Sequence, residues 1–272
     1  MKALTILIAE EVREHVRNRW IVSAVALFAA LALTLAFLGS LPVGQTRVAA
    51  LTVTTVSLAS LSVYLVPLIA LGLSFDSMVG ERERGTLQLL MTYPIERWQP
   101  LLGKYTGQMM VLGLAIVLGY GAAGVLLAVR AEGQLAGWRD YHLMMGSSVL
   151  LGGAFAALGC LVSVLVRQRA TAIVAVIGLW LMLVLLYDLG LLVVLVADKN
   201  QALSAGFFSF LMTINPADAY RVLNLMGSEG ASMITGMAGT VNVHPAMLLC
   251  SLGLWTLLPL ALAVTVLQRR EL

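Results

Sequence analysis

The chain has 272 residues, of which 60% are hydrophobic and 11% are charged, and its mean hydropathy is +0.94. An average soluble domain has about 25% charged residues, so this composition excludes an ordinary soluble helical bundle. The net charge is +3, from 17 basic and 14 acidic residues, and gives no reason to invoke a nucleic-acid partner.

The apolar residues are gathered into six runs, each long enough to cross a bilayer. A hydrocarbon core about 30 Å thick needs about 20 residues of helix. The pattern predicts an all-α integral membrane protein with six spans and no cleavable signal peptide. The runs are Trp20–Leu38, Val48–Phe75, Tyr105–Val129, Leu143–Val166, Thr171–Ala197 and Ala246–Leu267.

A charged, amphipathic segment precedes the first run. Leu4, Ile8 and Val12 recur every four residues, and charged residues, Glu11 among them, occupy other positions around the helix. The pattern predicts a helix over residues 1–19 that lies in the membrane interface. The alternative is a juxtamembrane extension without function. The six-span domain would follow over residues 20–272.

Basic residues are divided unevenly between the two sides that six spans define. Of the 17, twelve fall on the side of the termini and five on the other. The positive-inside rule assigns the richer side to the cytoplasm, so both termini are predicted to be cytoplasmic. A segment over residues 76–104 would share that side, and a long loop over residues 198–245 would lie outside.

The segment over residues 76–104 is an island of eight charged residues after an uncharged run of 28 residues. Within it, Thr86–Met91 has apolar residues at helical spacing, and glycines and prolines punctuate the remainder. Glu81 and Arg84, three residues apart, are placed to form a weak pair. We predict a compact protrusion with an apolar ridge and a charged collar, tied closely to two spans.

The order of residues in GERERGTLQLLMTYPIERWQPLLGKY, Gly80–Tyr105, resembles the coupling segment of ABC-2-type permeases. The N-terminal helix, the six spans and the long outer loop match that family too. The resemblance implies a type V exporter-like fold, a homodimeric membrane unit and contact with a separate ATPase. The coupling residues it implies are Glu81, Glu83, Arg84, Gly85, Thr86, Leu87, Leu90, Pro94 and Lys104, with Glu83, Gly85, Thr86 and Leu87 foremost at the docking surface.

A second stretch, INPADAYRVLNLMG at Ile214–Gly227, is similar to permease subunits of the transporters that serve nitrous oxide reductase maturation in denitrifying bacteria. That resemblance implies an inner-membrane location and a role in assembling a copper–sulfur centre. The partners it implies are a cytoplasmic ATPase (NosF-like), a periplasmic β-helical subunit (NosD-like) and, as a further candidate, a copper chaperone. The outer loop would form an external gate or docking surface through Asn215, Pro216, Asp218, Tyr220 and Arg221, or else a structural cap over the bundle.

The chain has no motif for nucleotide chemistry. Gly103–Lys104 is followed by Tyr105, and Trp98 stands where the first glycine of a phosphate-binding loop would be. We therefore expect that the chain is not itself an enzyme and binds no cofactor, and that ATP and Mg²⁺ are bound by the partner ATPase.

Two further features of the sequence each leave alternatives open. Met226, Met233 and His244 carry ligand types that suit Cu(I), although methionines in an apolar chain also fill core gaps. Asp188 is the carboxylate within a predicted span, about 26 Å along the helix from Thr171. It is either wetted at the outer interface, or it faces a pathway or a subunit contact.

The function implied has two alternatives. In the first, the chain is a permease that couples ATP hydrolysis to passage of a solute, such as copper or a sulfur species, or to mechanical work on a periplasmic subunit. In the second, it is a membrane anchor for a periplasmic assembly factor and has no transport cycle. Only the first requires the charged segment to engage an ATPase.

Overall fold

The computed structural model describes residues 2–17, 20–39, 50–87, 92, 95–130, 137–197, 205–226 and 243–269. Regular secondary structure within these ranges is helical throughout, which confirms the all-α prediction. The helices are α1 (Lys2–Arg17), α2 (Trp20–Gly39), α3 (Ala50–Ser74), α4 (Val79–Glu83), α5 (Trp98–Arg130), α6 (Trp138–Leu165), α7 (Arg169–Trp180), a π-helical segment (Leu181–Leu186), α8 (Tyr187–Ala197), α9 (Ala205–Ile214), α10 (Pro216–Met226) and α11 (Pro245–Arg269).

Among the described residues, five helices are long and apolar enough to cross a membrane. The remaining apolar helix, α2, has 20 residues, and the part of it with described side chains, Val22–Phe37, is shorter than the other five. The predicted six spans are therefore these five helices together with the shorter α2. The five are Leu51–Glu83, Trp98–Val129, Trp138–Leu165, Arg169–Val194 and Pro245–Arg269.

Two spans begin more than one helical turn earlier than the hydropathy pattern predicts. α5 starts at Trp98 and not at Tyr105, and α6 starts at Trp138 and not at Leu143. Pro100 lies in the first turn of α5, where a missing backbone N–H removes no helical hydrogen bond. The polar first turns were excluded from the predicted spans because hydropathy records the apolar run and not the helix that extends beyond it.

The core is built around α6. Of the most apolar stretch of this helix, 72% is buried, and the helix packs most extensively against α11 and α3. A Cβ on Gly159 would lie 1.9 Å from Ser74 Oγ, so glycine is needed where α6 meets α3. By contrast, only 17% of the most apolar stretch of Arg169–Val194 is buried. We call this helix, which corresponds to the fifth predicted span, the fifth-span helix. The outer face of that helix is apolar and exposed, as suits contact with lipid.

The bundle has two distinct ends. At one end, which we call the α1 end, α1 packs against the start of α5, and α4 lies beside the junction of α6 and α7. At the opposite end, Tyr141 near the start of α6 donates a hydrogen bond to the Tyr120 carbonyl oxygen late in α5, at 2.6 Å. The charged segment and the N-terminal helix therefore share one end of the molecule, and the α9–α10 hairpin approaches from the other.

The hairpin formed by α9 and α10 reaches deep into the bundle. Its turn, Asn215, donates from Nδ2 to the Leu183 carbonyl oxygen at 2.7 Å, and Leu183 lies in the π-helical segment near the middle of the fifth span. Asn215 Oδ1 also accepts from Ala217 N at 3.0 Å, which caps α10, and Pro216 occupies its first position. A π-helical segment is uncommon and is often found at functional sites.

Candidate functional site

Helix α4 is held at the α1 end by a cap from another helix. Ser163 Oγ of α6 accepts hydrogen bonds from Met78 N at 2.9 Å and Val79 N at 3.0 Å. These backbone groups are buried and belong to the start of α4, where no helical acceptor is available. The five-residue α4 is thereby tied to the central helix of the bundle.

An ion-pair network joins α4 to α1 and α5. Lys104 Nζ lies 2.8 Å from Glu81 Oε1 and 3.3 Å from Glu11 Oε2. Gln108 Nε2, one turn further along α5, donates to Glu11 Oε1 at 3.0 Å. Glu11 is only 5% exposed, so this carboxylate depends on partners within the protein. We call Glu11, Glu81 and Lys104 the inner triad.

Glycines allow α1 to approach α5 closely enough for the triad to form. A Cβ on Gly103 would lie 2.8 Å from Leu7 Cβ, and one on Gly107 would lie 2.7 Å from Glu11 Cβ. Glu11, which the sequence pattern sets apart from the apolar stripe, lies on the face of α1 that packs against α5. At 3.6 residues per turn, a stripe taken every four residues drifts around the helix, and the buried face follows Leu4, Leu7 and Glu11.

A second set of contacts ties α4 to the junction of α6 and α7. Arg82 Nη1 donates to the Val166 carbonyl oxygen at 2.9 Å. Arg169, at the start of α7, pairs with Asp76 Oδ2 at 2.6 Å, and its backbone N donates to Glu83 Oε1 at 2.7 Å. A displacement of α4 would therefore act directly on α5, α6 and α7, and on α1 through Lys104.

The predicted coupling residues separate into an exposed and a buried group. Glu83, Arg84, Gly85 and Thr86 are exposed, and Gly85 has φ of 71°, a left-handed conformation that favours glycine. Leu87 is 1% exposed and belongs to the core. It therefore supports the segment from beneath, and its predicted place at the docking surface is wrong for this conformation.

Two other predictions for this segment have different outcomes. The expected pair of Glu81 with Arg84 is absent, because Glu81 turns inward to Lys104. Leu90 and Pro94 lie outside the described residues, so their predicted roles stay predictions.

Beside the triad is a cavity of about 280 Å³, whose polar lining includes Glu14 and His15.

At the α9–α10 hairpin, the structure brings Asp188, Asp218 and Arg221 together. Arg221 Nη1 lies 2.5 Å from Asp188 Oδ1 and 3.0 Å from Asp218 Oδ1. Asp188 therefore has a counter-ion from α10, and the choice between a wetted interface and a pathway or subunit contact stays a prediction. Tyr187 Oη strengthens the same contact by donating to the Leu211 carbonyl oxygen at 2.7 Å.

Hydroxyl groups connect α10 to the spans around it. The hydroxyls of Tyr220 on α10 and Ser148 on α6 are 2.8 Å apart. A separate hydroxyl contact of 2.7 Å, between Ser62 and Tyr120, joins α3 to α5. Asn224 Nδ2 donates to Ser147 Oγ at 3.0 Å. Tyr220 is completely buried, so its predicted contact with an external partner would require the hairpin to move.

Of the three candidate metal ligands, the structure describes only the side chain of His244. Among the described residues, no group of three or more His, Cys, Asp and Glu side chains could hold a metal ion. His244 is exposed, and its Nδ1 accepts from Ala246 N at 3.3 Å. Met233 and the side chain of Met226 lie outside what the structure describes, so their copper-binding role stays a prediction.

The sequence analysis missed three residues that hold α4 and the inner triad in place. They are Ser163, Arg169 and Gln108. Arg169 was counted only as a basic residue in a short loop, and Ser163 and Gln108 are small or neutral polar residues inside apolar runs. A buried polar residue in a span is costly unless it finds a partner. That cost is the signal that marks Ser163 and Gln108, although it does not name the partner.

Comparison with known proteins agrees with this geometry. The ABC-2 family transporter protein profile matches residues 5–272. The chain therefore belongs to the ABC-2 transporter family, and it is a multi-pass membrane protein. It is 38% identical over 267 residues to the "Probable ABC transporter permease protein NosY" of Stutzerimonas stutzeri, covering 96% of each chain. It is 39% identical over 267 residues to the protein of the same description from Pseudomonas aeruginosa PAO1, covering 97% of each.

The chain is thus a permease subunit of an ABC transporter, similar to NosY. The earlier resemblance, drawn from two short stretches, is confirmed over nearly the whole length of the chain.

Proposed function

We propose that this permease transmits the nucleotide cycle of a separate cytoplasmic ATPase to the outer side of the inner membrane, with both termini cytoplasmic. It would work as a homodimer and support assembly of the copper–sulfur centre of nitrous oxide reductase. The names of its relatives support this assignment. The similarity of Ile214–Gly227 to permease subunits of this kind supports it too.

The observation that carries the coupling role is the construction of α4. Its exposed end, Glu83–Thr86, is available to a partner, while its buried side is fixed to α1, α5, α6 and α7 by the inner triad, Ser163 and Arg82. A solvated loop would need no such anchorage. A helix held this way moves as one body with the spans, so a partner that binds it differently in two nucleotide states shifts the conformation of the bundle.

On the outer side, the α9–α10 hairpin would deliver the movement. It is joined to the fifth-span helix through Asn215 and Arg221 and to α6 through Tyr220. The work done there would be passage of copper or a sulfur species, or a change in the shape of a β-helical periplasmic subunit. A copper chaperone could then receive or supply the metal.

The test is co-purification with the ATPase after the exposed charges are reversed. In the double variant Glu83→Lys and Arg84→Glu the net charge is unchanged. Because Glu83 Oε1 also accepts a hydrogen bond from Arg169 N, loss of the ATPase counts as evidence for the docking surface only if the variant unfolds like the wild type. The matched control is Arg139→Glu, which reverses an exposed arginine at the opposite end. We expect loss of the ATPase in the double variant alone. Retention in both variants would instead support the membrane-anchor alternative.

A further inference from the structure

Two carboxylates share one guanidinium where the outer hairpin meets the fifth-span helix. The same nitrogen, Arg221 Nη1, serves both Asp188 at 2.5 Å and Asp218 at 3.0 Å. With both acids ionised, these three side chains carry a net charge of −1. One negative charge at this contact is therefore left without compensation.

The uncompensated group is well buried. The side chain of Asp218 is only 5% exposed, and its second oxygen, Oδ2, has no hydrogen-bond partner among the described residues. An unpaired carboxylate oxygen in such a place is unfavourable. A proton on it would remove the excess charge and turn the acceptor into an O–H donor.

An acceptor for that donor is already present. Asp188 is close enough for protonated Asp218 to donate a hydrogen bond to it, and a bond of this kind favours the neutral acid. Asp218 lies on α10, which is not one of the spanning helices. Burial, reinforced by Asp188 and opposed by Arg221, raises the pKa of Asp218 to about 7.

Within the part of the chain that the structure describes, the other groups around the pair do not supply the missing charge. Tyr187 of α8 and Tyr64 of α3 are the titratable side chains that face Asp218 and Arg221. Toward α10, the central helix α6 presents hydroxyls at Ser147 and Ser148. Helix α9 has no titratable side chain, and those of α11 are Cys250 and Arg269.

We propose that Asp218 and Asp188 form a proton-binding site in which one shared proton latches the outer hairpin to the fifth-span helix. With the proton bound, Asp218 donates to Asp188 and the three side chains are neutral overall. Without it, two carboxylates repel each other across one guanidinium and the contact weakens. Asp188 is 35% exposed, so the protein does not enclose the pair completely.

The sign of the pH dependence follows from the raised pKa. The stabilisation of the docked hairpin is complete below the ordinary carboxyl pKa of about 4, and it is lost as the pH rises through about 7. This inference concerns the hairpin contact alone and does not depend on what the transporter moves.

The first experiment is an infrared titration of the full-length protein in lipid nanodiscs, from about pH 9 to about pH 5, above the range in which ordinary carboxyl groups titrate. The wild type should gain the carbonyl band of a protonated carboxylic acid with a midpoint near neutrality, and Asp218→Asn should lack it. Asp188→Asn should shift the midpoint down by about one pH unit, because the neighbouring negative charge is lost and a neutral amide oxygen is a weaker acceptor than a carboxylate. Asp140→Asn, at the start of α6, is the matched control and should keep the midpoint.

The second experiment measures whether the proton holds the hairpin. Amide hydrogen exchange over residues 205–226, corrected for the intrinsic effect of pH, should be faster at the alkaline end by at least about tenfold in the wild type. In Asp218→Asn it should be slow at both ends, since the neutral amide can also donate to Asp188. A band that persists in Asp218→Asn, or wild-type exchange that is independent of pH, would overturn the proposal. If Asp218→Asn does not fold, the midpoint shift in Asp188→Asn decides the question.

Discussion

Replacing Lys104 with methionine would remove the ammonium group between Glu11 and Glu81 while keeping a side chain of similar length. Lys104 Nζ is 2.8 Å from one carboxylate and 3.3 Å from the other. In Lys104→Met, two carboxylates would face each other at the junction of α1, α4 and α5. The neutral Gln108 would remain as a donor to Glu11.

The burial of the partners sets the size of the effect. The side chains of Glu11, Glu81 and Lys104 are 6%, 17% and 14% exposed, so the pairs are not of the exposed kind that contributes about 0.2–1 kcal/mol. Removing one partner of a buried pair costs about 3–5 kcal/mol. Because Glu81 retains some access to water, we expect a loss near the lower limit, about 3 kcal/mol.

The assay is reversible unfolding in mixed micelles, combined with a compensating variant. Adding Glu11→Gln and Glu81→Gln to Lys104→Met removes the stranded charges, and it should recover stability to within about 1 kcal/mol of the wild type. Arg139→Met, at an exposed site on the opposite end, is the control and should change stability by less than about 0.5 kcal/mol.

The stimulation of the partner ATPase provides a second reading of the same variants. The single variant should bind the ATPase through the exposed end of α4 but transmit less of its cycle, because α4 is no longer fixed to α1 and α5. A loss of stability below about 1 kcal/mol in Lys104→Met would refute the argument, since the triad would then behave as a set of surface ion pairs.

Three further changes test the packing that supports both ends of the bundle. Gly107→Leu should displace α1, because even a Cβ would lie 2.7 Å from the Glu11 side chain, and limited proteolysis of α1 should therefore accelerate. The control is Gly113→Leu, where no neighbour lies within 4 Å, and it should leave the rate of proteolysis unchanged. Tyr220→Phe removes a buried hydroxyl contact with Ser148 and should cost about 1 kcal/mol in the same unfolding assay. Gly85→Ala should lower the free energy of unfolding by about 1–2 kcal/mol, because Gly85 has a φ of 71°, and Gly85→Asn should lower it less. Equal losses for the two variants would contradict the backbone explanation.

The helical architecture was predictable because the constraint on each span is local. A run of about 20 apolar residues satisfies its backbone hydrogen bonds within its own helix, so α3, α5, α6, the fifth-span helix and α11 follow from hydropathy. The shorter α2 was found in the same way. The early starts of α5 and α6 were missed because their first turns are polar and become helical by packing against neighbouring helices.

The inner site was only partly predictable. Glu81 and Lys104 were singled out within the charged segment, but a charge pattern does not say which residues pair, and Glu81 was matched with Arg84 three residues away. The true partner, Lys104, comes from another helix, and Glu11 comes from a third. Leu87 was placed on the surface because its burial depends on helices that are distant in sequence.

The sequence by itself determined the membrane class, the family and the positions of the two polar regions, since each depends on residues that are close together along the chain. Only the tertiary structure decided that Glu11 completes an ion-pair network at one end and that Arg221 joins Asp188 to Asp218 at the other. The physical reason is that the energy of a charge inside a bundle depends on which groups lie within a few ångströms of it. Those distances are set when helices pack.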